Sequence, residues 1–344
     1  MTQVGAPETG QGGAPRRDAG SGTWRAGLRR AISSGSRPGP WKRGLVLAAL
    51  ALLLGLVMLA HAEIPDRRWN LGSLVETFLP WLGLFIPVLL AAALLRRSAS
   101  AVVALLLPAM VWLSLFGGVP GDKSRPGGDL SVASENVDAG NPDPAATARD
   151  LAASGAGVLA LVEMTPQAVV TYEQGLAKAY PYHAVVGTVG LWSKLSLSDT
   201  RPVDIGMDPT RALRTTVATD HGPLAVYVAH LGSARVNPLE GFSVGQRNAG
   251  ADALGGAIAA EQDKRVVLLG DLNGSLEDRA FDGITSQLRS AQDVAGDGFG
   301  FTWPASFPVV RIDQILVRGV EPDSSWVLPA NGSDHRPVEA TISW

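Results

Sequence analysis

Asp313, Asp334 and His335 have the side chains to hold and move a proton. A carboxylate that orients an imidazole fixes its tautomer and stabilises its charged form, a familiar catalytic arrangement. Asp313 lies inside the apolar segment RIDQILV, between Ile312 and Ile315. A carboxylate there is costly to bury without a partner, and His335 in SDHRPV is the candidate. Upstream, Asn136, Glu163, His230, Asp271 and Asn273 each close or follow a short apolar run. Taken singly they have plain readings. Asn136 and Asn273 are ordinary turn formers. Glu163 precedes Met-Thr-Pro, where it can cap a helix, and Asp271 sits in a G-D-x-N turn. Their shared position at the ends of apolar runs is the informative part, because loops at strand ends are where α/β sheets assemble sites.

The elements that must carry these residues are legible as alternating patterns. LSVASENV (130–137) and GVLALVE (157–163) read as strands, separated by the helix PAATARDLAAS (144–154). TPQAVVTYEQGLAKA (165–179) reads as a helix with a Thr-Pro start. YHAVVG, GLWSK, LRTTVAT and LAVYVAH follow as strands. SVGQRNAGADALGGAIAAEQ reads as a helix, and RVVLLG, RIDQILV and PVEATISW as strands. Residues 130–344 are therefore expected to form one α/β (α+β) domain.

The first 129 residues are of a different kind. They hold 14 Lys and Arg against 7 Asp and Glu, a balance of +7, whereas residues 130–344 hold 15 against 25, a balance of −10. Residues 1–40 are rich in Gly, Ser, Pro and Arg without apolar periodicity, the composition of a disordered tail. Three runs without Asp, Glu, Lys or Arg follow, at 44–62, 77–95 and 98–119, each near the roughly 20 residues a helix needs to span a bilayer. Three transmembrane helices over 41–119 are expected, with residues 120–129 as a Gly/Pro linker. Arginines before the first run, and Arg96 and Arg97 between the second and third, place those ends in the cytoplasm. The expected protein is a multi-pass protein of the cell membrane, its N-terminus cytoplasmic and residues 130–344 extracytoplasmic. The chain contains no Cys, which excludes disulfides, thiolate metal sites and a cysteine nucleophile.

GVLALVE, GLWSK, VYVAHL, LLGDLNGS, FTWP, RIDQILV and SDHRPV occur in the order seen in the endonuclease/exonuclease/phosphatase superfamily, and the resemblance spans nearly all of 130–344. It implies a four-layer sandwich of two packed mixed sheets flanked by helices, with the site at one edge. It also implies a metal-dependent hydrolase acting on phosphoester bonds. Glu163, helped by Asn136, resembles the main Mg²⁺ site, where Mn²⁺ can substitute, and Asp334 resembles a further metal ligand. His335, held by Asp313, looks like the residue that orients or deprotonates water. Asp271 is expected at the nucleophile, and Asn273 and His230 at the phosphate. The nuclease branch pairs the histidine matching His230 with a carboxylate, and YHAVVGTVGLWSK offers none. Asp138 is a further acidic candidate in a turn-rich stretch.

Residues 130–344 carry a balance of −10, a poor match for nucleic acid, although Arg211, Arg214, Arg235, Arg247 and Arg336 can be grouped into a local basic groove. A nucleic-acid substrate is possible but not favoured. Three spans, an Arg-rich tail and this external domain resemble the actinobacterial VanJ-type teicoplanin-resistance proteins, which implies antibiotic resistance. A small or lipid-linked phosphate or pyrophosphate of envelope metabolism is then the expected substrate. The alternatives are an extracellular nuclease or general phosphodiesterase, and a non-catalytic envelope-binding module.

Overall fold

The computed structural model describes residues 39–66, 69–237 and 241–344. The tail expected over 1–40 lies outside these residues except for its last two positions.

All three apolar runs become helical. They form α1 (Leu45–Leu59), α2 (Leu71–Thr77), a 3₁₀ stretch (Leu79–Leu84) leading into α3 (Phe85–Leu95), α4 (Ala99–Ala104) and α5 (Leu106–Phe116). The three runs differ in length and straightness. Among the described residues only Ala99–Phe116, with 18 residues, is by itself long and apolar enough to cross. Leu45–Leu59 has 15 residues, about 22 Å at ~1.5 Å per residue, short of a hydrocarbon core of ~30 Å. Leu71–Thr77 and Leu79–Leu95 qualify only as a pair, and that pair is bent by 69°. Pro80 is one reason for the bend, since it lacks an N–H and disfavours helical backbone at Leu79.

Residues 130–344 fold into β1 (Leu130–Asn136), α6 (Pro144–Ser154), β2 (Val158–Val162), α7 (Pro166–Leu176), β3 (Tyr182–Val186), β4 (Val189–Ser193), β5 (Leu197–Pro202), β6 (Ala212–Thr219), β7 (Gly222–His230), β8 (Arg235–Asn237), β9 (Gly241–Ser243), α8 (Gly245–Ala259), β10 (Val266–Asp271), β11 (Arg289–Ser290), β12 (Asp313–Arg318), β13 (Glu321–Val327) and β14 (Val338–Ser343). Short polar side chains set the helix starts. Asp143 accepts from the Ala146 N–H and Thr165 from the Ala168 N–H, each ahead of a proline in the first turn.

Two six-stranded sheets form, in the orders β13-β14-β1-β2-β4-β3 and β11-β12-β10-β7-β6-β5. Each is antiparallel except for one central parallel pair, β1 with β2 and β7 with β10. Strand alternation sorts the core into three layers. Val158, Ala160 and Val162 face the second sheet, whose Val226, Val228, Val267 and Leu269 meet them. Leu159 and Leu161 face the other way, onto Tyr172 and Leu176 of α7. Tyr227 and Leu268 face Leu254 and Ile258 of α8. The result is the expected helix–sheet–sheet–helix sandwich.

The helical segment is fastened to this domain by specific bonds. Glu76, fully buried, pairs with Arg279 at 2.8 Å. Ser275 donates to the Glu76 carbonyl, and the Trp81 indole N–H donates to the Val309 carbonyl at 2.7 Å. The 120–129 stretch is also bonded down: the Arg125 N–H donates to the Asp323 carbonyl at 2.6 Å and the Asp129 N–H to the Ile342 carbonyl at 2.8 Å.

Buried Arg214 of β6 holds the outer face of the second sheet to the chain after α8. It bonds Glu261 at 2.9 Å, Asp263 at 2.7 Å and Asp199 at 2.8 Å. Burial works against the Glu261 charge, but Arg214, the Asp263 N–H and the Tyr227 hydroxyl outweigh it and hold Glu261 down at about 2. Removing Arg214 leaves the buried Glu261 side chain without its cation, whereas the exposed Asp199 keeps Arg201 at 3.0 Å. Arg214→Met is expected to destabilise the protein by about 3–5 kcal/mol, read from denaturant midpoints of the full chain in detergent. A loss below about 1 kcal/mol would show the cluster to be solvent-relaxed.

Candidate active site

Strand direction brings the polar residues together. The parallel strands β1, β2, β7 and β10 end at the same edge of the sandwich, and the antiparallel strands β12 and β14 begin there. Asp271 ends β10 opposite both His230 of β7 and Asp313 of β12. Asn136 ends β1 opposite Val162, so Glu163 follows directly beyond it. Gly270 sits at φ +142°, and a Cβ there would lie 1.9 Å from the Ala229 carbonyl oxygen. Only glycine lets β10 approach β7 closely enough to place Asp271 beside His230. Glu163 and Asn273 adopt left-handed backbone at φ +64° and +53°, conformations costly for residues with a Cβ and often found at functional sites.

Asn136 links the two sheets. Its Nδ2 donates to Glu163 Oε2 at 2.8 Å and to Asp271 Oδ2 at 2.9 Å. Its Oδ1 accepts from the Asp138 N–H at 3.0 Å. In this orientation Asn136 presents an N–H donor to the acids and positions them, whereas a metal ligand would have to present its oxygen. Asn273 behaves similarly. Its Nδ2 donates to the Leu231 carbonyl at 3.0 Å and to Asp271 Oδ2 at 3.2 Å. Its amide hydrogens are spent on the Leu231 carbonyl and on Asp271, and the expected phosphate contact would require one of those bonds to open. Asp138 accepts from the Gly140 N–H, the turn role that its surroundings imply.

His335 Nδ1 lies 2.8 Å from Asp313 Oδ2, in a buried hydrogen bond. The other ring nitrogen faces Asp271 Oδ2 and Asp334 Oδ1, each at 3.9 Å. Burial favours the neutral ring, but the charges of Asp313, Asp271 and Asp334 win and raise the His335 pKa to about 10. Asp271 is pushed up to about 7 by burial and by Asp313. His230 is pushed down to about 3 by burial, with Arg211 and His335 adding to it. Its Nε2 stands 3.6 Å from Glu163 and 3.7 Å from Asp271. Neither of its ring nitrogens has a hydrogen-bond partner among the described residues. Among the described residues no carboxylate hydrogen-bonds His230, in keeping with the lack of a candidate in YHAVVGTVGLWSK. The site contains an imidazolium, a neutral imidazole and a carboxyl poised near neutrality.

Glu163, Asp271, Asp334 and His335 line one cavity of about 420 Å³. Its walls also include residues not singled out in the sequence. Trp303 of FTWP donates its indole N–H to Asp334 at 3.2 Å. Thr77 and Phe78 reach it from the helical segment, and Arg235 from β8. FTWP was the signal for Trp303, whereas Thr77 and Phe78 were absorbed into an apolar run. The basic groove does not form as expected. Arg214 and Arg247 are buried in ion pairs, Arg247 with Asp278, and the Arg336 side chain donates to the Ala305 carbonyl.

The donor set fits a hard divalent cation. Glu163, Asp271 and Asp334 present carboxylates to one cavity, and Asp313 Oδ1 is buried without a partner. Ligand atoms of Asp271, Asp313 and His335 also lie within 4.8 Å of one another. The second grouping would draw both partners of the Asp313–His335 hydrogen bond onto the cation. Glu163 with Asp334, as expected from the sequence, leaves that bond intact.

A two-sheet sandwich with acids and histidines converging at one edge defines a class of phosphoester hydrolases. The sequence model of the Endonuclease/Exonuclease/phosphatase family matches residues 133–335, and the chain belongs to that family. Members of the family are hydrolases that act on phosphoester bonds. No curated protein matches the sequence. Among solved structures, D. rerio TDP2 complexed with single-strand DNA product superposes with a TM-score of 0.53 at 22% identity, covering 62% of this chain and 99% of that one. The Bacteroides thetaiotaomicron mannosyl-6-phosphatase Bt3783 gives 0.51 at 15% identity, covering 63% and 100%. The Staphylococcus aureus beta toxin gives 0.50 at 16%, covering 62% and 99%. At these identities the likeness is one of fold.

Proposed function

We propose that this chain is a membrane-anchored, Mg²⁺-dependent phosphoesterase, with Mn²⁺ able to serve. Its catalytic domain faces away from the cytoplasm and hydrolyses a phosphate ester or pyrophosphate of a lipid-linked envelope precursor. The observation that carries the reading is the convergence of Glu163, Asp271, Asp334 and His335 on one cavity, with Asp313 bonded to His335 and His230 within 3.7 Å of Glu163 and Asp271.

In this reading Asp271, with a pKa near neutrality, takes the proton of the attacking water, a task suited to a group poised at the working pH. His335 is already charged at that pH and stabilises the phosphoryl oxygens, so the base expected at His335 moves to Asp271. His230 stays neutral and offers an N–H to the same oxygens. Asn136 and Asn273 hold the two acids in register. A divalent cation held by Glu163 and Asp334 would neutralise charge on the phosphoryl and leaving-group oxygens.

The lipid-linked substrate is supported by exposed apolar residues along the helices, among them Leu53, Leu84, Val88, Leu95 and Leu113. It is supported also by Thr77 and Phe78, which bring the helical segment to the wall of the catalytic cavity. The layout of basic tail, apolar segment and external domain resembles the VanJ-type proteins. A nuclease reading draws on the likeness to TDP2, but two of its candidate arginines, Arg214 and Arg247, are spent inside the fold.

The test uses the full chain in nanodiscs, assayed with a prenyl pyrophosphate, a soluble monoester, a diester and plasmid DNA, with Mg²⁺ or chelator. Mg²⁺-dependent phosphate release from the prenyl pyrophosphate is expected, and Glu163→Gln should raise the half-saturating Mg²⁺ concentration at least about tenfold. DNA cleavage without phosphate release would overturn the reading. Because the chain has no Cys, a single Ser124→Cys reports topology cleanly. Labelling by an impermeant thiol reagent in intact cells is expected, and protection would place the domain in the cytoplasm.

A further inference from the structure

We infer that a second, apolar pocket beside the catalytic cavity receives the hydrocarbon chain of the lipid phosphate, an inference that rests on the lipid-linked reading above. The pocket encloses about 440 Å³ between the 3₁₀ stretch, α3, α5 and the loop before β12. Its walls include Trp81, Gly83, Trp112, Phe299 and Phe301. Every wall residue is apolar.

The pocket is built from both halves of the chain. Phe301 stacks on Trp81 at 5.6 Å between ring centroids and on Phe299 at 5.1 Å. Both indole N–H groups are already satisfied by backbone, Trp81 by Val309 and Trp112 by the Pro80 carbonyl at 2.9 Å. A Cβ on Gly83 would lie 2.2 Å from the Trp112 ring, so glycine is what admits that ring here. A charged headgroup would find no polar partner in such a space, whereas an alkyl or isoprenoid chain needs none. The volume lies within the ~300–1,000 Å³ range of ligand pockets.

Position decides the occupant. Thr77 and Phe78 wall the catalytic cavity, and Pro80 and Trp81, just beyond them, wall the apolar pocket. On the other side, Val310 walls the catalytic cavity while the Val309 carbonyl holds Trp81. A smaller space joins the two, sharing Pro80, Phe299 and Phe301 with the apolar pocket and Thr77 and Val310 with the catalytic cavity, so the apolar pocket lies within reach of a molecule whose phosphate is at His335. Leu84 and Leu113, which also wall the pocket, are 58% and 61% exposed and continue into the outward apolar faces of α3 and α5. The inferred path of the lipid chain runs from those faces through the apolar pocket and past Thr77 and Val310 toward His335.

Two measurements on the full chain in nanodiscs test this. The first is photolabelling with a long-chain prenyl phosphate carrying a terminal diazirine, with a diazirine phosphatidylcholine of matched length as control. Labels are expected within residues 80–87, 109–113 or 299–301 from the prenyl phosphate and much less from the control. Labels confined to other helix faces, or equal labelling by the phosphatidylcholine, would overturn the inference. The second is KM across a series of alkyl phosphates. KM should fall roughly fourfold for each methylene that enters the pocket, up to its capacity. Ala109→Trp, which fills the pocket, should raise KM for the longest member at least about tenfold and leave a short soluble ester unchanged. If folding fails in that variant, Phe301→Ala is used, with the same long-chain-specific change expected. KM independent of chain length overturns the inference. Lipid phosphate hydrolysis without pocket labelling would sink the pocket and spare the reaction. Pocket labelling without turnover would do the reverse.

Discussion

His335→Ala is expected to lower kcat by about a thousandfold, and Asp313→Ala to cost nearly as much. The size follows from the geometry. His335 is a buried charged donor at the wall of the catalytic cavity, and removing one preorganised electrostatic donor costs about 10²–10³ in rate. Asp313 acts through His335, which it holds by the 2.8 Å bond. Without Asp313 the ring can rotate, and it loses its largest charge stabilisation. The double variant should therefore be little worse than His335→Ala alone, because the two residues work as a unit. The measurement is a double-mutant cycle on kcat with the best substrate found, with melting temperatures as a fold control. Additive losses would show that Asp313 has a role of its own, such as metal ligation in the Asp271, Asp313 and His335 grouping.

Asp271→Asn is expected to abolish activity to a similar depth while making the protein more stable in mild base. The ionised carboxylate must accept a proton, so kcat/KM should rise as pH passes about 7. The charged His335 ring must persist, so the rate should fall again as pH approaches about 10. These are macroscopic limbs belonging to a coupled site. Stability responds with the opposite sense. The Asp271 pKa is raised in the folded state, so its favourable contribution is complete below 3.8 and is lost as pH climbs through about 7. At pH 8 the native protein therefore bears the cost of a buried, ionised Asp271, which asparagine removes. Tm of Asp271→Asn relative to the parent should rise between pH 5 and pH 8, and the acidic limb of the residual activity should vanish. A variant equally destabilised at both pH values would mean that Asp271 is structural.

Much of this site is legible in the chain because its members close apolar runs. Asp271 after RVVLLG and His230 after LAVYVA are visible as polar stops, and strand direction then forces them to one edge. What pattern reading assigned less well was role. Asn136 and Asn273 are recognisable as site residues, but only the hydrogen bonds show that their amides hold acids. The strands β5 and β13 left no clear trace. LSDTRP is mostly exposed at a sheet edge, and EPDSSWV carries Pro322, which an edge strand tolerates. Neither has the apolar alternation that buried strands must show. The apolar runs are legible as helices, whereas their bend and unequal lengths are not. Hydropathy alone gave three equal spans, but the bend near Pro80 and the short α1 divide them unequally. The same bend turns Thr77 and Phe78 into the catalytic cavity.

The pairing of Glu76 with Arg279 has a practical corollary. The obvious truncation, cutting within 120–129 to obtain a soluble enzyme, would strip Arg279 and Ser275 of their partners and tear out one side of the reaction chamber. Such a fragment can retain the Asp313–His335 pair and still lose its grip on the natural substrate. A catalytic head riveted in this way cannot roam on a leash. Its reach is fixed to whatever arrives alongside its own helices.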